Sequence, residues 1–230
     1  MTRRLAIAAA CGLVLGPVAG GPPALAAPKF TTRIDNPYLP MSPGSRWVYR
    51  ETSADGGVQR VVVRVTHRSR LIANGVTARV VRDTATEQGR LVEDTYDWYA
   101  QDRRGNVWYL GEDTKEYENG KVVSTKGSWE AGVNGARGGL VMPAHPRPGM
   151  QYRQEYLAGE AEDSARVLSL DDQAEVPFGH FKHVLLTKEW NPLEPKVLEY
   201  KLYARGVGPV LALTVSGGSD REELVSFRRG

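Results

Sequence analysis

The run from Arg60 to Thr66 constrains the fold more than any other part of this chain. Val61, Val63 and Val65 fall on one face while Arg60, Arg64 and Thr66 fall on the other, the two-residue period of a half-buried β-strand. Similar runs recur at Arg46 to Glu51, Val76 to Asp83, Leu91 to Gln101, Asn106 to Gly111 and Tyr117 to Ser124. Between them stand the turn signals Asp55-Gly56-Gly57, Asn74-Gly75, Arg104-Gly105-Asn106 and Asn119-Gly120, which favour tight reversals because Gly and Asn tolerate positive φ. No segment has the apolar stripe of an amphipathic helix. The expected class is all-β, a curved antiparallel sheet or open barrel.

Laid on itself with an offset near 104 residues, the chain matches in a constant order. Pro43-Gly44 falls on Pro148-Gly149, Trp47 on Tyr152, Gly75 and Val80 on Gly179 and Val184, and Tyr99-Ala100 on Tyr203-Ala204. Either a strand-rich half is duplicated, or hairpin sequences resemble one another. Both readings give the second half a matching set of strands: Gln151 to Leu157, Ala165 to Leu170, Phe181 to Trp190, Val197 to Ala204, Val210 to Ser216 and Glu222 to Phe227. The candidate repeats are 43–126 and 148–227, joined by the Gly/Pro-rich stretch 127–149 within a single β domain, 27–230.

The N-terminus reads as a cleavable export signal. Arg3 and Arg4 precede the apolar stretch Leu5 to Val18, and Ala24-Leu25-Ala26 has the small-x-small pattern of a cleavage site. The mature chain should begin near Ala27, secreted or extracytoplasmic. Lipidation at Cys11 would leave only Leu5 to Ala10 as an apolar core, so cleavage after Ala26 is favoured. Cys11 is the only cysteine of the chain, so the mature protein has no thiol for a disulfide, a nucleophile or a metal. Loss of Arg3 and Arg4 takes 30 basic residues to 28, against 27 acidic ones. That balance argues against nucleic acid as a partner. No later run reaches the roughly 20 apolar residues of a membrane span. Oligomeric state is left open.

Val176-Pro177-Phe178-Gly179-His180-Phe181, followed by Tyr203-Ala204-Arg205-Gly206-Val207-Gly208-Pro209-Val210 and preceded by Pro43 to Tyr49, resembles a pattern of uncharacterised exported bacterial β-proteins. The stretch Val92 to Asp102 is similar to their actinobacterial members. The resemblance implies a curved antiparallel sheet akin to periplasmic lipoprotein-carrier folds. Its motifs are turn and strand motifs that specify backbone rather than chemistry, and Arg205 stands where the pattern usually has Pro.

Chemistry is densest between Glu93 and Glu118, where eight acids face only Arg103, Arg104 and Lys115. If Arg103 to Gly105 closes a hairpin, Tyr99 lies near Trp108 and Asp97 near Leu110. Alternation then places Glu93, Asp97 and Tyr99 on a face with Glu112 and Trp108. Glu93, Asp97 and Glu112 could hold Ca²⁺ through hard oxygens, the rings could stack a sugar, or a paired carboxylate could do acid/base work. Against these stands a solvated acidic face whose repulsion the Arg-rich strand Arg60 to Arg70 relieves.

The stretch Gly127 to Gly149 carries Trp129 and Met142 among many Gly and Pro residues. It reads either as a lid over a concave sheet or as a plain linker. The four histidines lack ligand spacing, and no His-Glu-x-x-His, Gly-x-Ser-x-Gly or phosphate-cradling loop is present. The expected function is a soluble exported binding or carrier protein holding an apolar or envelope-derived ligand, a small molecule or lipid, at Tyr99, Trp108, Trp129 and Met142. The alternative is a secreted glycan-directed hydrolase using the acidic hairpin. No cofactor is required by either, with Ca²⁺ the one candidate.

Overall fold

The computed structural model describes residues 29–230; the expected export signal and cleavage site, and Cys11, lie outside the described residues. Among these the chain forms sixteen strands and no helix. They are β1 Phe30–Thr31, β2 Arg46–Thr52, β3 Val58–Leu71, β4 Thr77–Glu87, β5 Arg90–Asp102, β6 Val107–Glu118, β7 Lys121–Ser124 and β8 Trp129–Glu130 in the first half. In the second half come β9 Arg137–Met142, β10 Gln151–Arg153, β11 Glu155–Tyr156, β12 Ser164–Val176, β13 Gly179–Trp190, β14 Leu198–Ala204, β15 Gly208–Ser216 and β16 Arg221–Arg228. No described helix is long and apolar enough to cross a membrane.

Every pairing is antiparallel, in one curved sheet that nearly closes into a barrel. The strands β2 to β6 make one meander and β12 to β16 another, and β16 bonds β2 so that the two join edge to edge. On the far side one short segment completes the circuit. β10 pairs with β12, and one residue later β11 pairs with β9, which pairs with β6. At the offset noted above, β3, β4, β5 and β6 fall on β12, β13, β14 and β15.

The expected turns carry the positive φ they need, among them Gly56 at 84°, Gly75 at 84° and Gly105 at 88°. Two local expectations are corrected. Asn119 and Gly120, at φ 51° and 74°, break the run Tyr117 to Ser124 into the end of β6 and the start of β7. A further reversal at Gln88-Gly89, φ 49° and 77°, lacks the Asn-Gly signature.

The stretch 127–149 is neither an unstructured linker nor a lid. Its residues build β8 and β9, both bonded to β6 as part of the wall. Glycine makes this possible where side chains could not fit. A Cβ at Gly139 would stand 2.3 Å from the backbone carbon of Gln154, and one at Gly111 would stand 2.2 Å from the Trp129 carbonyl oxygen.

Alternation sends Val61, Val65, Val81 and Leu224 inward, where they join Leu185, Val107, Met142 and Val210 in one buried cluster. Ile34, Tyr38, Leu39 and Met41 belong to the same cluster, so the segment before β2 plugs one end of the barrel. Asn36, 2% exposed, fastens the plug. Its Nδ2 donates to the carbonyls of Gly105 (3.0 Å) and Pro143 (3.1 Å), and its Oδ1 accepts from the Tyr38 amide at 2.9 Å. A second cluster lies on the outer side of β4 to β6, with Val80, Trp98, Ala100 and Leu110 packed against Ile72 and Ala131.

Candidate binding interior

The inward face changes character along the barrel axis, because the same strands that give Val65, Val81 and Tyr203 to the plugged end give carboxylates to the other. On β2 the sequence passes from Trp47 and Tyr49 to Glu51, which stands directly opposite Glu222 of β16. On β4 and β5 the inward positions are Asp83, Glu93 and Asp97, and Asp97 stands opposite Glu112 of β6. Directly opposed like charges destabilise a sheet. Among the described residues no Lys or Arg forms an ion pair with Asp83, Glu93, Asp97 or Glu222.

Three of these carboxyl groups, Asp83, Asp97 and Glu222, are raised above their ordinary range. Burial, with the nearby Glu93 and Glu51 carboxylates, pushes Asp83 up to about 7. Burial and the neighbouring Asp83 and Glu51 raise Glu222 to about 8. Asp97, 9% exposed, is raised well above its ordinary value by burial and then by Glu112 and Asp83, although the Tyr109 hydroxyl donates to it at 2.8 Å and pulls the other way. Asp83 and Glu222 remain half-buried, so solvent screening tempers these shifts.

Aromatic rings stand beside the acids. Tyr99 and Tyr109 are cross-strand partners and stack with centroids 4.9 Å apart. The Trp129 ring meets Tyr109 edge-on at 5.4 Å, and its Nε1 donates to Glu155 at 3.1 Å. Burial and the adjacent Asp163 push Glu155 up to about 9.

Across the interior lies the charge arrangement of opposite kind. Glu189, 5% exposed, accepts from Lys201 Nζ at 2.9 Å, from the Thr187 hydroxyl at 2.8 Å and from the Tyr203 hydroxyl at 3.1 Å. Burial alone would raise its pKa, yet Lys201 and these donors bring it below the ordinary value. Glu189 in turn raises Lys201. Tyr152, on β10 two strands from Glu189, is 9% exposed and its hydroxyl has no hydrogen-bond partner.

Of the residues singled out in the sequence, Glu93, Asp97, Tyr99, Glu112 and Trp129 are brought to the inner side. Glu93, Glu112 and Asp97 each accept from a different hydroxyl, those of Thr95, Thr114 and Tyr109. Among the described residues no group of three or more His, Cys, Asp or Glu is disposed to hold a metal ion. Trp108 is not part of the set. It pairs with Ala100 on the outer face, where its ring packs edge-on against Phe30 at 6.0 Å and its Nε1 donates to Asp102 at 3.1 Å. The expected pairing of Tyr99 with Trp108 and of Asp97 with Leu110 is thereby corrected to Tyr109 and Glu112. Met142 is fully buried opposite Val107 at the apolar end.

Tyr109, Asp83, Glu222, Glu189 and Lys201 were not singled out. Their strands were legible, and period-two parity marks Asp83 and Tyr109 as inward once register is known. The meeting of Asp83 with Glu222 depends on the junction of the two meanders, which no local pattern encodes. A separate cleft of about 500 Å³ lies outside the plug, between Tyr38, Arg104, His145 and Arg205; it shares none of these carboxylates.

No protein-family model and no curated protein sequence matches the chain. Among solved structures, a protein of Parabacteroides distasonis described as a putative lipoprotein is similar over 83% of this chain and 98% of its own, with 11% identity and a TM-score of 0.43.

Proposed function

We propose that the protein is an exported binding or carrier protein that holds an amphiphilic small molecule in the interior of the curved sheet. The apolar body of the ligand lies toward Tyr49, Val61 and Val63, and a basic or hydrogen-bond-donating end meets Asp83, Asp97 and Glu222. The observation that supports this reading is the half-buried group of carboxyl groups without ion-pair partners, set beside stacked Tyr99 and Tyr109 above an apolar floor. Interiors with few polar groups converging on an apolar surface are the usual form of small-molecule sites. Export rests on Arg3, Arg4 and Ala24-Leu25-Ala26.

One observation favours a second reading, a secreted glycan-directed hydrolase. Burial and the Glu112 carboxyl group directly opposite raise the Asp97 pKa well above its ordinary value, and an acid with a raised pKa beside a second carboxyl group is the pairing glycoside hydrolysis requires.

Native mass spectrometry of protein purified from its own host separates the two. A co-purifying amphiphile, displaced by a long-chain primary amine in preference to the fatty acid of equal length, is the expected result. Protein that carries no ligand and cleaves envelope glycans, with activity lost in Asp97→Asn, overturns the carrier reading.

A further inference from the structure

The outer face of the wall carries a row of arginines that the fold itself gives no reason to align. Arg228 of β16 stands opposite Arg46 of β2, Arg46 opposite Arg64 of β3, and Arg64 opposite Arg82 of β4. With neighbouring strands about 4.8 Å apart, the row crosses roughly 14 Å of surface. Arg60 stands two residues along β3 from the pair Val48 and Val62, opposite Arg50, on the same face. Arg82 is held bidentately by Asp94 at 2.7 and 2.9 Å, and Arg50 by Glu223 at 2.7 Å. Among the described residues no carboxylate forms an ion pair with Arg46, Arg60, Arg64 or Arg228. Burial, followed by repulsion from Arg60, Arg64 and Arg228, lowers the Arg46 pKa. Arg60, Arg64 and Arg228 are exposed.

Like charges in direct cross-strand register oppose folding, and a guanidinium cannot relieve the strain by losing its proton. What relieves it is an anion. We infer that this row, independent of the interior site, is a docking surface for a linear phosphate polymer without bases.

Three features select that partner. Guanidinium forks match phosphate oxygens bidentately. The row lies on the convex side of a barrel wall and runs across the strands, so a flexible chain can follow it where a flat membrane touches only part of it. A lone small anion finds no enclosure there. Bases would need open aromatic rings on which to stack, but the rings on this face are already covered. Arg82 lies over Tyr96 at 5.5 Å and Arg70 over Trp98 at 4.1 Å.

Fluorescence anisotropy with labelled inorganic polyphosphate of about 50 phosphates, against pyrophosphate as a monovalent-site control, tests the surface on the mature protein. Polyphosphate binding should weaken with salt, with a slope of log K on log salt near −3, as expected for about four arginines meeting a single flexible strand. Arg64→Gln and Arg228→Gln should each weaken binding about tenfold and reduce the slope by about 1. Arg103→Gln, an exposed arginine at the β5–β6 turn, should change neither. The variants' thermal unfolding, unchanged or slightly raised, confirms that the fold is intact. Equal loss with Arg103→Gln, or pyrophosphate binding as tight as polyphosphate, overturns the proposal. So does tighter binding to anionic phospholipid vesicles or to single-stranded nucleic acid of equal charge, and so does the absence of binding at low salt.

Discussion

The inner and outer faces of the β16–β2–β3–β4 wall meet the same difficulty and resolve it by different chemistry. Inside, Glu51 opposes Glu222, and beyond this wall, at the β5–β6 junction, Asp97 opposes Glu112. Outside, Arg228, Arg46 and Arg64 stand in line. A carboxyl group crowded by its own kind can keep a proton, and Asp83 and Glu222 do so near neutral pH. A guanidinium has no such escape. The acidic face is therefore self-contained and sensitive to pH, while the basic face is insensitive to pH and calls for a counter-charge from elsewhere.

The strongest test of this contrast lies at Lys201, an interior cation that makes an ion pair with the buried Glu189. Lys201→Met leaves Glu189 almost wholly buried without its ammonium partner, and loss of one member of such a pair costs about 3 kcal/mol. For a domain of this size that is a fall in Tm of roughly 6 to 12 °C. Calorimetry showing a fall under about 2 °C would mean that water screens the interior as it screens the outside, and the distinction between the faces would collapse.

A smaller effect follows from the raised carboxyl groups. Where both folded and unfolded chains are protonated, below about pH 4, these groups do not oppose folding. As pH rises, the unfolded chain releases its protons first, so stability declines through the window up to about 7 for Asp83 and about 8 for Glu222, then levels off. Asp83→Asn removes its share of that decline. Because Asp83 is only half-buried, the gain should be about 1 kcal/mol, or 2 to 4 °C in Tm, at pH 8.5 and negligible at pH 4.5. A Tm difference independent of pH would show that the acids do not sense one another.

Smallest of all is the outer face in the absence of any polymer. Arg64→Ser should raise stability by up to about 0.5 kcal/mol at low salt, since it removes one charge from a repelling row. The gain should vanish in about 1 M salt, where the screening length is near 3 Å. A loss of stability in denaturant titration would indicate that the row already has counter-charges within the protein.

The strands themselves were legible from alternation, because each buries one face and the Gly and Asn turns announce the reversals. Register was not. In the β5–β6 hairpin, Gly111 at φ 128° takes a residue out of step, so the pairing slips between Tyr99 with Tyr109 and Asp97 with Glu112. The register on the turn side of the slip, Gln101 opposite Val107, already sets Tyr109 rather than Trp108 against Tyr99, and the slip beyond it keeps Glu112 inward. The stretch 127–149 hid two wall strands because Gly138 and Gly139 argue against a strand locally. What they answer is close approach from elsewhere in the chain, of Leu110 and the Tyr109 carbonyl to Gly138 and of Gln154 to Gly139.

The segment Gln151 to Tyr156 gives the barrel its seam, and the seam governs how this protein meets other protein molecules. A long sheet laid open would end in two rows of unpaired amides and carbonyls, each a template for aggregation. Here three residues of the segment occupy one such row and two residues occupy the other. The part of β12 that they leave uncovered has three breaks in register and carries Asp171 and Asp172, which spoil it as a partner for a foreign strand. The barrel thus carries its own protection against strand-by-strand association.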